Sequence, residues 1–74
     1  MKVLIVEDEP AAVKRMRKLL QEVDPAIEVI ADVPTVAGTV RWFNDNPAPD
    51  LAFFDVRLAD GDSFEVFKKV EVGC

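Results

Sequence analysis

Two short, unbroken apolar runs, Val3-Leu4-Ile5-Val6 and Leu51-Ala52-Phe53-Phe54, each stop at a carboxylate, Glu7 in the first case and Asp55 in the second. Runs of this length are too short for helices, and without polar alternation they read as parallel strands covered on both faces. Between them the period changes. Pro10 suits the first turn of a helix, and Val13, Met16, Leu20 and Val23 recur at helical spacing with Lys14, Arg15, Arg17 and Lys18 among them, which predicts a first helix ending before Asp24-Pro25. The Ile- and Val-rich stretch from Ile27 to Val33 predicts a second strand. Thr35 can cap a second helix with Val36, Val40 and Phe43 inward, although Gly38 costs it about 1 kcal/mol relative to Ala. The stretch from Asn44 to Pro49 breaks that helix. After the second apolar run, Asp60-Gly61-Asp62 predicts a turn, and a third helix follows with Phe64, Phe67 and Val70 inward. The order is βαβαβα. Trp42, Phe43, Phe53, Phe64 and Phe67 are expected to be core aromatics.

Composition bounds what such a chain can be. Its 74 residues are half hydrophobic and 31% charged, which is a globular balance, and a domain of this size buries only about 60% of the surface its unfolded chain exposes. The net charge of −5 argues against direct nucleic-acid binding, which needs concentrated Lys and Arg. A single cysteine, Cys74, offers no disulfide framework, and a reducing cytoplasmic setting is expected. The first apolar run is cut by Glu7, far short of a signal core or membrane span, so no membrane association is expected.

The acidic residues carry the candidate chemistry. Glu7 and Asp8 follow the first strand and Asp55 follows the third, so all three belong to the carboxyl edge of a parallel sheet, where open α/β folds place their sites. For them to meet, strands 1 and 3 must be neighbours, which puts strand 2 on the other side and gives the order 2-1-3. Carboxylates gathered there repel by about 4 kcal/mol per pair at ~4 Å and an effective dielectric near ~20, so a cation is expected among them. An all-oxygen site with room for water suits Mg²⁺. Glu7, Asp8 and Glu9 could instead serve only the dipole of the following helix. Asp55, at the end of an apolar strand, has no such structural explanation. Asp60 and Asp62 are expected in a turn and a helix cap. An EF-hand loop beginning at Asp60 is excluded because Phe64 and Glu65 stand at its fifth and sixth positions.

The segment from Val3 through Glu7-Asp8-Glu9-Pro10, with the later segment Asp50-Leu51-Ala52-Phe53-Phe54-Asp55-Val56-Arg57-Leu58, resembles the receiver domain of bacterial two-component response regulators across essentially the whole chain. Glu7 to Pro10 and Asp60-Gly61-Asp62 are most similar to receivers that precede LytTR-type DNA-binding domains. The resemblance implies the first half of a flavodoxin-like receiver fold over residues 1–74, with strands 1–3 and helices 1–3 and without an output domain. It implies that Asp55 accepts a phosphoryl group from a histidine kinase. Asp8 and Asp55 would bind Mg²⁺ directly, Glu7 directly or through water, and Arg57 through its backbone carbonyl. Receivers usually carry Pro four residues past the acceptor and Gly eight past it, where this chain has Ala59 and Ser63. They also supply a Ser or Thr and a Lys from later strands. Neither can be assigned here, so phosphorylation by small donors is expected to be impaired. Lys68 and Lys69 are expected to be solvated, and the cations of helix 1 to form its wet face.

Two other functions remain open at this point. A Mg²⁺-dependent aspartyl phosphatase or phosphotransferase would use Asp55 as its nucleophile, but usually wants a second carboxylate where Arg57 stands. A purely structural association unit would make no chemical use of the acids. Strand 3 as an apolar edge, carrying Leu51, Phe53 and Phe54, further predicts self-association.

Overall fold

The computed structural model describes residues 1–73; Cys74 lies outside them. The first strand, β1 (Lys2–Val6), is flanked by β2 (Glu28–Val33) and β3 (Leu51–Phe54) in a parallel sheet of order β2-β1-β3. Both neighbours are needed to explain the first apolar run. Val3, Leu4, Ile5 and Val6 are all buried, because this strand is central in the sheet and its side chains enter a core on either face. Register fixes the carboxyl edge: Val6 pairs with Val33 on one side and Phe54 on the other, so residues 7, 34 and 55 leave the sheet together.

The two faces have different cover. Helix α1 (Pro10–Val23) packs Leu20, with Val13 and Met16, against Val3, Ile5 and Phe53. Helices α2 (Val36–Asp45) and α3 (Phe64–Lys69) cover the other face, where Val36 and Val66 meet Leu4, Val6 and Val33. This division follows from right-handed crossovers: the chain passes from β1 to β2 in one direction and from β2 back across β1 to β3 in the other. Phe54 extends the second core by stacking near Phe43, with centroids 6.5 Å apart, and by meeting Phe67 at 5.2 Å.

Several expectations about the helices need correction. Phe64 and Phe67 were expected inward, yet they are 60% and 51% exposed, and the fully buried residue of α3 is Val66. The helix is too short for a periodic pattern to set its phase, and the small β-branched residue fits the space over Leu4 and Val36. Val23, placed on the inward side of α1, is 77% exposed at the last residue of the helix. Arg17 is not simply part of the wet face, since it turns back to pair with Asp32. Lys14, Arg15 and Lys18 are exposed, as are Lys68 and Lys69.

The segment after Asp55 contains structure that the residue pattern did not reveal. Arg57–Leu58 (β4) and Gly61–Asp62 (β5) form a tight antiparallel hairpin, with Arg57 opposite Asp62 and Leu58 opposite Gly61. Gly61 has φ of +149°, a conformation that a residue with a side chain rarely adopts. Leu58 points into the core beside Val36 and Val66 and anchors the hairpin there.

Candidate functional site

Local backbone bonds bring the three acids to one place. Glu7 donates its N–H to the Val33 carbonyl at 3.0 Å, and Asp55 donates to the Val6 carbonyl at 2.8 Å, so both residues continue the sheet pairing for one step beyond the strands. Asp8 follows directly, before α1 begins at Pro10. One carboxylate oxygen from each of Glu7, Asp8 and Asp55 lies within 4.8 Å of the others. Asp8 and Asp55 are exposed, whereas Glu7 is half-buried.

The electrostatic consequence falls on Glu7. Its Oε2 is buried without a hydrogen-bond partner. Its carboxyl is pushed up from an ordinary 4.5 to about 7, first by sharing a proton with the Asp55 carboxyl, then by partial burial and by the charges of Asp55 and Asp8; a backbone hydrogen bond from Asp8 opposes the rise. Three acids this close cannot all ionise comfortably, and either a proton or a cation must be held among them. An all-carboxylate donor set, with two members open to water and one buried oxygen lacking a partner, fits a hard divalent cation such as Mg²⁺.

Arg57, expected to contribute its backbone carbonyl, lies in β4, and its exposed side chain reaches Asp62 at 3.7 Å. Asp60 lies in the expected turn, between β4 and β5, but the helix it caps is not the one that follows. Its two carboxylate oxygens accept hydrogen bonds from the N–H groups of Val36, at 2.6 Å, and Ala37, at 3.1 Å, so it caps α2 rather than α3. These bonds hold its carboxyl below the usual range. Helix α3 begins after Ser63, whose side chain makes no capping bond. Thr35 does cap α2 as expected, accepting from the Gly38 N–H at 2.9 Å.

A parallel sheet ordered β2-β1-β3, with an acidic cluster at its carboxyl edge, defines a partial flavodoxin-like receiver architecture. Comparison with known proteins points the same way. The chain is 34% identical over 70 residues to the sensory transduction protein LytT of Enterococcus faecalis, covering 95% of this chain and 28% of that protein. It is 35% identical over 69 residues to a protein-glutamate methylesterase/protein-glutamine glutaminase of Cereibacter sphaeroides, covering 93% of the chain and 18% of the relative. An uncharacterized response regulatory protein of Vibrio cholerae is 28% identical over 67 residues, which is 90% of the chain and 25% of that protein. No family model matches the chain. No solved structure matches it either.

Over nine-tenths or more of its length the chain is thus similar to part of each of these proteins, response regulators among them, and its β2-β1-β3 sheet agrees with part of a flavodoxin-like receiver fold. It spans between 18% and 28% of the length of these curated relatives. Among the described residues, no helix is long and apolar enough to cross a membrane.

Proposed function

We propose that this chain is a phosphoacceptor module of a two-component signalling system, with Asp55 as the residue that takes the phosphoryl group and a histidine kinase as the donor. The observation that carries the reading is the convergence of Glu7, Asp8 and Asp55, from the ends of two adjacent strands, on one point at the carboxyl edge of the sheet. In the transfer, a carboxylate oxygen of Asp55 forms a bond to phosphorus while the bond between phosphorus and the donor breaks, the donor leaving with the electron pair. Asp8 and Asp55 would hold Mg²⁺, with Glu7 directly or through water and the backbone carbonyl of Arg57 completing the protein's share. When bound, Mg²⁺ would neutralise charge on the oxygens of the transferring group. Below about pH 7 Glu7 keeps a proton when no cation is present, which limits repulsion before the site is filled. A cytoplasmic location and the LytTR-associated subclass belong to the same reading, supported by the LytT relative.

The test is incubation of the chain with acetyl phosphate, with and without Mg²⁺, followed by peptide mapping. The expected product is an acyl phosphate on Asp55 that needs Mg²⁺ and forms slowly, since the Ser or Thr and the Lys of the receiver pattern are not assigned among these residues. Equal labelling of wild type and Asp55→Asn would refute the assignment, and rapid stoichiometric labelling would refute the expected impairment.

A second role, self-association, is favoured by the edge position of β3, which pairs with β1 alone among the described residues and leaves Leu51 exposed. Phe54 is better covered, by Phe43 and Phe67, than an open edge would leave it. Sedimentation equilibrium should show a two-fold species at high micromolar concentration; a strictly monomeric folded chain would refute this role.

A further inference from the structure

The segment leaving Asp55 is tied to a distant helix. Asp60 stands at the tip of the β4–β5 hairpin, and both of its carboxylate oxygens are engaged by the first two N–H groups of α2, which lie 24 and 23 residues earlier in the chain. With Thr35 already bonded to the Gly38 N–H, the free donors of Val36, Ala37 and Gly38 are all satisfied, two of them from outside the helix. A second backbone contact joins the same pieces, from the Ala59 N–H to the Pro34 carbonyl at 3.4 Å. On the apolar side, Leu58 and Val36 share one core cluster, and a Cβ added at Gly61 would lie 3.9 Å from Val36 Cγ2. The stretch between the acceptor and α3 is thus fixed at both ends: Asp55 to β1 through its N–H bond to Val6, and the hairpin tip to α2 through Asp60.

We propose that Asp60 is a positioning residue for the acceptor loop, clamping the segment from Val56 to Ser63 onto the N-terminus of α2 and so setting where Arg57 presents its backbone to the acidic site. The link from Asp60 to cation binding rests on the phosphoacceptor reading above, whereas the clamp itself does not. Helix α2 becomes, by this connection, part of the support of the site although it contributes no ligand. Displacement of α2 at its N-terminus and displacement of the acceptor loop are then one motion.

Three variants of the full chain separate the clamp from simple helix capping. Asp60→Ala removes both bonds to α2, Asp60→Asn keeps one acceptor oxygen, and Thr35→Ala removes a cap from the same helix without touching the hairpin. Amide hydrogen exchange is read at Asp55, whose N–H bonds Val6, and at Ser63, whose N–H closes the loop onto the Val56 carbonyl at 2.8 Å. Exchange at Ser63 should rise by about tenfold in Asp60→Ala relative to Thr35→Ala at matched global stability, with Asp60→Asn between the two. Calorimetry with Mg²⁺ should show affinity about fivefold weaker in Asp60→Ala and within about twofold of wild type in Thr35→Ala. Equal Ser63 exchange in Asp60→Ala and Thr35→Ala would overturn the clamp. Raised exchange with unchanged Mg²⁺ affinity would overturn the link to the site. If wild type and Asp55→Asn bind Mg²⁺ equally, the phosphoacceptor reading fails and the link with it, while the exchange data still decide the clamp.

Discussion

Glu7→Gln should stabilise the cation-free chain above neutral pH, because the wild-type carboxyl can lose its proton only at a cost. In the folded chain the group rises from 4.5 to about 7. Between those values the native state holds a proton that the unfolded chain has released, so stability falls as pH climbs from 4.5 through 7 and then levels off. At about 1.4 kcal/mol per pH unit the full displacement would be worth about 3 kcal/mol in a shielded site. The group is only half-buried and its two neighbours are open to water, so solvent and salt screening reduce this to about 1–2 kcal/mol. Gln keeps the shape and carries no charge. Urea unfolding in EDTA, followed by Trp42 fluorescence from pH 5 to pH 8, measures the difference between the two proteins. With a slope of about 1 kcal/mol per molar for so small a chain, the midpoint of the variant should exceed that of wild type by about 1–2 M at pH 8 and converge with it near pH 5. Subtracting the variant removes the general effect of a net charge of −5. A wild-type midpoint that rises across this range in parallel with the variant would refute the assignment of strain to Glu7.

Two further predictions concern packing. Val66→Ala, at a fully buried position, should cost about 2 kcal/mol, whereas Phe64→Ala, at a 60% exposed one, should stay within about 0.5 kcal/mol; urea midpoints showing the reverse would restore the aromatic inward face of α3. Gly38→Ala would place a Cβ 2.8 Å from Thr35 Oγ1 and 2.9 Å from Val33 Cγ1, so overpacking of about 1–3 kcal/mol should outweigh the gain of about 1 kcal/mol in helix propensity; a more stable variant would show that the α2 N-terminus gives way easily.

The elements that were legible in the residue pattern are those with long or doubly buried signals. The run Val3 to Val6 announces a central strand because all four residues are buried, and the fourteen residues of α1 supply enough turns for its period to emerge. The order 2-1-3 followed from a chemical requirement, that Glu7, Asp8 and Asp55 share a site. The hairpin after Asp55 was not legible, since strands of two residues leave no alternation to detect. Helix α3 has six residues, too few for a period to set its inward face, and its Phe64 and Phe67 are both more than half exposed although Phe67 still meets Phe54. Asp60 lay in a segment that resembles a turn, and its partners are non-local backbone donors that no local spacing encodes. The pressure on Glu7 depends on distances between strand ends, which only the folded chain defines.

The central claim is that Asp55 belongs to an acidic cation site built with Glu7 and Asp8, and Mg²⁺ titration calorimetry on wild type and Asp55→Asn tests it most directly. Wild type should bind one Mg²⁺ with a proton release that grows as pH falls below 7, as Glu7 gives up its proton to the incoming cation. Asp55→Asn should bind more weakly and release fewer protons. Identical affinity and identical proton release in the two proteins would contradict the account.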